Sequence, residues 1–337
     1  MLASRSFPPG AGAGDLAGWV AGAGRIEAVG HRIVHGGSEF TGPVLVSAGV
    51  RARIEVLGDL APLHQSRALA ALDALADASA GIPVVACFDT AFHAHMPEAA
   101  ARYAIPAEWR RRWGIRRFGF HGLSHAYAAR RTAELMNRPV SELRIVTCHL
   151  GAGASLAAVQ GGRSVDTTMG FTPLEGLVMA TRSGSVDPGL VLWLIRDAGL
   201  DPSEVAAGLE EGAGLAGLAG TADMRAVLER SLSGDAEARL ALDVYLHRLR
   251  AGIAAMAASM GGVDAVTFTG GVGENAEEVR RRAAGGLGFL GVAIDEERNA
   301  RQEGDRAIGD DTGSVQAFVL RAREDLQIAH EVRTLLG

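Results

Sequence analysis

RIVTCHLGAGASLAAVQGGRSVDTTMGFTPLEGLVMATRSGSVDP, residues 144 to 188, places apolar runs between glycine turns. Ile145 to Leu150 reads as a strand, Gly151 and Gly153 as a turn, Ser155 to Val159 as a second strand, Gly161-Gly162 as a second turn, and a third strand starts at Ser164. This spacing predicts a tight antiparallel meander. Glycine at such a turn lets successive backbone N–H groups approach an anion with no Cβ in the way, and Ser155, Thr167 and Thr168 offer hydroxyl donors. Downstream, Thr181-Arg182-Ser183-Gly184 sets one guanidinium among small residues, a setting suited to the planar oxygens of phosphate or carboxylate. The unit points to phosphoryl transfer, although an isolated arginine beside a hairpin is more often a solvated side chain.

Composition bounds the rest. The chain has 337 residues, 48% hydrophobic and 21% charged, enough for two domains with sizeable cores. Its net charge of −6 argues against nucleic acid as partner, and the local run Arg110, Arg111, Arg112, Arg116, Arg117 reads as a solvated face or an anion channel. All 33 basic residues are arginine, so a Walker-type P-loop and a Schiff-base lysine are excluded. Cys87 and Cys148 sit in apolar runs and read as small core residues of a reducing compartment, hence a cytoplasmic location. No apolar run approaches the roughly 20 residues of a membrane span, and no secretory leader is evident.

Residues 1–24, rich in Gly, Ala and Pro, read as a flexible lead-in. A short strand follows from Ala28 and closes at Gly36-Gly37. His64 to Ala80 carries Leu69, Leu72 and Leu75 on one helical face, and Pro83 to Phe88 is a buried strand ending at Asp89, a common position for chemistry. An arginine-rich helix comes next, and His121-Gly122-Leu123-Ser124-His125 opens another that runs to about Met136. Leu242, Leu246, Leu249, Ile253, Met256 and Met260 form one face of a long helix stopped by Gly261-Gly262. A strand from Ala265 to Thr269 leads into Gly270-Gly271-Val272-Gly273-Glu274-Asn275, expected as a glycine turn before a helix N-terminus on the nucleotide side. Meander plus strand–helix alternation predicts α/β with more than one sheet.

Competing motifs are weaker. Gly271 to Ala276 matches G-x-G-x-x-A with Asp295 as a possible ribose-binding acid, but no second strand–helix–strand unit is read after it, and Gly12 to Ala17 matches equally. His121 and His125 have the i,i+4 spacing of a zinc protease, but Gly122 stands where the general-base glutamate belongs. His35, His149, His247 and His330, taken singly, read as structural. His121 differs by its company: arginines, aromatics and glycines at a helix start suit a donor to a phosphoryl oxygen.

HRIVHGG, APLH, FDTAFHAHMPE, YAIP, GIRRFGFHGLSH, CHLGAG, SVDTTMGFTPLEGL, TRSGSVDP and FTGGVGEN, spread from about residue 27 to the C-terminus, together resemble the acetate kinases. The resemblance implies the two-domain sugar kinase/Hsp70/actin-like, ribonuclease H-like α/β fold, with residues 25–93 plus 326–337 as a first domain and 94–325 as a second carrying the nucleotide side and dimer contacts. It implies reversible phosphoryl transfer between ATP and acetate or propionate, with Mg2+, in a homodimer. Position by position, Arg32 and Arg182 resemble the pair that binds the acyl carboxylate and the transferring group, His121 and His64 two active-site histidines, Asp89 a catalytic acid, and Glu324 the magnesium-linked glutamate. Val34, Leu63, Phe120 and Pro173 match the pocket for the acyl methyl group. His149, Leu150, Gly151 and Gly153, with Asp223, Met224 and Arg225 and with Gly271 to Asn275, match the ATP side.

The chain departs from the family pattern at Gln65, Leu123, Ala152 and Arg321-Ala322-Arg323. It also lacks the family's opening hairpin with asparagine, serines and lysine, so the first domain is expected to be truncated at its N-terminus, with an exposed sheet edge. A start upstream of Met1, a substitute element, or a member that binds nucleotide or a partner subunit without turnover each fit that departure. An NAD-dependent oxidoreductase is the remaining alternative.

Overall fold

The computed structural model describes Gly18, Gly22 and residues 26–60, 68–75 and 81–337. Most of the expected lead-in 1–24, together with Leu63, His64 and Gln65, lies outside the described residues.

Among the described residues, two sheets carry the fold. In the first, β1 (Val29–Ile33) pairs in parallel with β3 (Val84–Phe88), and β2 (Val44–Leu45) runs antiparallel on the other side of β3. Every residue of β3 is buried, as a continuous apolar run between two neighbours requires. Leu69 and Leu72 of the helical stretch 68–75 close one face together with Ile33, Phe40, Ile54 and Phe88. The helix Glu324–Leu336 covers the other. It sits directly on β1 at Gly30, where a Cβ would come within 2.2 Å of Ile328.

The second sheet has the order β6-β5-β4-β7-β9-β8. Its antiparallel part is the meander: β4 (Arg144–Leu150), β5 (Ala154–Gln160) and β6 (Arg163–Thr167). Strand β7 (Ala265–Thr269) lies parallel to β4, β9 (Gln316–Val319) parallel to β7, and β8 (Arg306–Ala307) closes the edge. Alternation divides the faces. Val146, Cys148, Leu150, Leu156 and Phe268 pack with Leu242, Leu246, Leu249 and Ile253 of the helix Ala236–Ser259, whereas Ile145, Ala157, Val159 and Ala265 pack with Ala129 and Ala133 of the helix Gly122–Leu135. Burying each large aliphatic contributes about 1.5–3 kcal/mol.

The long helix bearing that apolar face begins at Ala236, where Asp235 caps it by accepting from the N–H groups of Glu237 and Ala238. Three expectations need correction. Gly271 to Asn275 is no turn: Gly270, at φ +79°, makes the corner and Gly270–Asn275 is itself helical. The chain after β7 does return through helices to the parallel strand β9, a crossover that the four-residue β9 was too short to announce. Asp295, the possible ribose acid, instead caps the helix Glu296–Ala300 by accepting from Arg298 N–H.

Candidate active site

The two sheets meet at the end of β3. Gly122 N–H donates to the Asp89 carbonyl at 3.0 Å, and a Cβ on Gly122 would come within 2.1 Å of that oxygen. Only glycine permits this approach. The preceding residue, His121, is left-handed at φ 55° and ψ 25°, a conformation uncommon outside glycine and found at functional sites when the surroundings enforce it.

One wall is ionic. Parallel pairing of β1 with β3 brings Arg32 beside Asp89, whose N–H continues the ladder to Ile33 O. Arg32 grips Asp89 through Nε to Oδ1 at 2.9 Å and Nη2 to Oδ2 at 2.6 Å, and Nη1 lies 2.8 Å from Oε2 of Glu324. Burial works against the guanidinium charge, but Asp89 and then Glu324 outweigh it and raise the Arg32 pKa. The Glu324 carboxyl is pushed up, by burial foremost.

The other wall is neutral. His121 stacks on His149 with centroids 4.3 Å apart, His149 Nδ1 meets Ser124 Oγ at 2.8 Å, and His121 Nδ1 meets Ser155 Oγ at 2.9 Å. Burial, then His149, His125, Arg32 and Arg182, hold the His121 pKa well below its usual value; burial and Arg32 bring His149 to about 4. Arg182 makes no ion pair among the described residues. Its Nη1 donates to Pro173 O at 2.8 Å, and its loop is tied by Ala180 N–H to Ala152 O and Ala213 N–H to Thr181 O. A Cβ on Gly153 would lie 3.2 Å from His121 Nε2 and 3.4 Å from Arg182 Nη2. The glycine turn therefore borders both groups.

A cleft of about 400 Å³ continues from that turn, lined by Gly151, Ala152, Leu215, Asp223, Met224, Arg225, Gly271, Val272 and Asn275 among others.

Over residues 20–330 the sequence matches the Acetokinase family. The chain belongs to that family. The acetate kinase of Deinococcus radiodurans is 49% identical over 314 residues, which cover 93% of this chain and 79% of that protein. Among solved structures, Porphyromonas gingivalis acetate kinase is 38% identical at a TM-score of 0.88, with 93% of this chain and 79% of that one covered. A propionate kinase from Francisella tularensis is 36% identical, also at 0.88, with 94% and 82% covered. With the family comes its sugar kinase/Hsp70/actin-like fold.

Of the expected residues, the structure brings together Arg32, Asp89 and Glu324, and across from them His121, His149, Arg182, Pro173 and Gly153. Phe120 is buried beneath, and Val34 packs against the same core. Gly151, Asp223, Met224, Arg225, Gly271, Val272 and Asn275 line the cleft; Leu150, Gly273 and Glu274 do not. Leu150 is fully buried, Gly273 packs beneath it, and Glu274 accepts from Ala322 N–H, tying its helix to the segment before Glu324.

The hydroxyls expected to meet an anion are engaged within the protein. Thr167 Oγ1 donates to Leu156 O, Thr168 Oγ1 accepts from Leu156 N–H, and Ser155 Oγ lies between His121 and His125. Arg117, read with its run as a solvated face or an anion channel, bonds the Thr168 and Met169 carbonyls and pairs with Glu175 at 2.7 Å. Gly122 was the contact that reading the sequence missed. A glycine directly after His121 was visible, but its partner, the Asp89 carbonyl, is distant in the chain.

Proposed function

We propose that the cleft at this seam transfers the γ-phosphoryl group of ATP reversibly to the carboxylate of acetate or propionate. The approach of His121 and Arg182 to the Gly153 turn, with the charge of Arg32 also acting on the His121 ring, in an Acetokinase family chain, carries the reading. A loose phosphoryl transition state spreads charge over its oxygens, so cations, donors and in-line positioning supply most of the catalysis. In this reading Arg32 and Arg182 orient the acid with its alkyl end toward Val34, Phe120 and Pro173, and with Leu63 as the resemblance assigns. A carboxylate oxygen attacks the γ-phosphorus, the bond to the bridging oxygen breaks, and ADP leaves with the electron pair. His121 and Arg182 meet the equatorial oxygens. Asp89 keeps Arg32 aligned. Adenosine occupies the cleft lined by Asp223 to Arg225 and the Gly271 helix.

Two carboxylates, Asp89 and Glu324, reach the same guanidinium from different elements. Magnesium is commonly held by one or two carboxylates with phosphate oxygens completing its shell, so this donor set fits it, with Glu324 as the assigned ligand. When bound, the ion neutralises charge on the phosphate oxygens.

The sheet containing β1 and β3, with the end of the helix Glu324–Leu336, would form the first domain and residues 94–325 the second, closing on substrate at the Gly122 seam. A homodimer is favoured by the helix Pro188–Arg196, which is strongly apolar yet has no buried residue in the single chain; Leu190, Leu192 and Trp193 stand exposed. No described helix is long and apolar enough to cross a membrane, and the buried free thiols Cys87 and Cys148 suit the cytoplasm.

Hydroxylamine trapping tests the reaction: ATP, magnesium and acetate or propionate should yield the hydroxamate with the full chain. No hydroxamate from either acid would sink the assignment. One methylene is worth only about 1–3 kcal/mol, so both acids should react.

A further inference from the structure

Beneath the cleft runs a chain of hydroxyls and imidazoles. Thr147 Oγ1 lies 2.7 Å from His125 Nδ1, His125 Nε2 lies 2.8 Å from Ser155 Oγ, and Ser155 Oγ lies 2.9 Å from His121 Nδ1. Thr147, His125 and Ser155 are fully buried, so each of their hydrogens needs an acceptor within the protein. Burial also keeps both imidazoles neutral, each with one N–H and one lone pair.

Only two orders of these three bonds are then possible. In the first, Thr147 O–H donates to His125 Nδ1, His125 Nε2–H donates to Ser155, and Ser155 O–H donates to His121 Nδ1. His121 must then carry its proton on Nε2, the atom beside Gly153. In the second order every bond reverses, His121 presents a lone pair to the cleft, and the Thr147 hydroxyl is left with the Ala157 carbonyl at 3.5 Å. That distance is at the limit of a hydrogen bond, and a buried donor without a good acceptor is costly. The first order gives every buried hydrogen a short bond.

The charged groups around His121 make this choice consequential. Arg32 and Arg182 act on the ring, His149 stacks on it, and His93 lies 5.7 Å from His125. An imidazole facing two guanidinium groups would by itself turn a lone pair toward them. We propose that Thr147, His125 and Ser155 are positioning residues that hold neutral His121 in its Nε2–H tautomer, so that it meets a phosphoryl oxygen as a donor without carrying charge. The proposal rests on His121 facing the transferring group, but its test does not depend on turnover.

Long-range 15N–1H correlation on histidine-labelled full chain, with His121 assigned by its loss in His121→Gln, reads the tautomer directly. Wild type at neutral pH should give pyrrole-type Nε2 and pyridine-type Nδ1 for His121; the reverse assignment overturns the proposal. Ser155→Ala should move Nε2 toward the pyridine type and lower kcat about tenfold or more, with a much smaller change in KM for acetate. Ser155→Thr, which keeps the hydroxyl, should restore both. If Ser155→Ala leaves the ring shifts unchanged, the chain does not set the tautomer. If wild type holds the Nε2–H form but forms no acyl phosphate, the relay stands and the functional reading fails.

Discussion

The two walls of the cleft solve opposite electrostatic problems. On the β1–β3 side Asp89 and Glu324 both pair with Arg32 and favour its charge at a partly open sheet end, where Arg32 is 38% exposed and Asp89 1%. On the meander side His121, His125 and His149 are kept neutral by burial, and their polar atoms meet hydroxyls of Ser155, Thr147 and Ser124. Arg182 stands between these regimes, a partly buried cation held by a carbonyl. A site for a highly charged transferring group thus combines fixed charges on one side with fixed dipoles on the other.

Removing the cation between the walls should have the largest effect. Arg182→Ala should lower kcat at least about 10³-fold, the scale of an arginine at a transferring phosphoryl group, with no shift in melting temperature. Asp89→Asn dissolves the ionic wall: kcat should fall about 10²-fold, and urea unfolding should report a loss of about 2 kcal/mol, the scale of a charged hydrogen bond. Gly153→Ala would place a Cβ against both His121 and Arg182. Because the new Cβ would sit 3.2 Å from the ring, the neighbours must give slightly, and kcat should drop about tenfold without a change in stability.

Stability against pH also separates the walls. His93 and His149 are held at about 4 in the fold against an ordinary value of 6.5. Below about pH 6.5 the unfolded chain binds protons that the native one refuses, so stability falls as pH drops toward 4, by up to about 1.4 kcal/mol per unit for each ring. The raised Glu324 carboxyl acts in the opposite sense over part of that range, which makes the net slope shallower. Melting temperatures between pH 7.5 and 5.5 should decline with falling pH; a flat profile would contradict a neutral histidine wall.

Much of this was legible in the sequence because it is local. The meander from Arg144, the buried strand ending at Asp89 and the face Leu242 to Met260 follow from alternation and helical spacing. What was not legible depends on chain-distant partners. Nothing near Ser155 announces that its hydroxyl serves two histidines rather than an anion, nothing near Glu274 that it anchors Ala322, and nothing in the short β9 that it completes a crossover. His149, taken singly as structural and put on the ATP side only by the resemblance, is seen in the structure to stack on His121.

Phosphorus NMR of the full chain with ATP, magnesium and acetate tests the central claim most directly. Acyl phosphate and ADP should appear in equal amounts, and adding acetyl phosphate with ADP should run the transfer backward to ATP. Release of inorganic phosphate without any acyl phosphate, or ATP left unchanged, would contradict phosphoryl transfer to the acid.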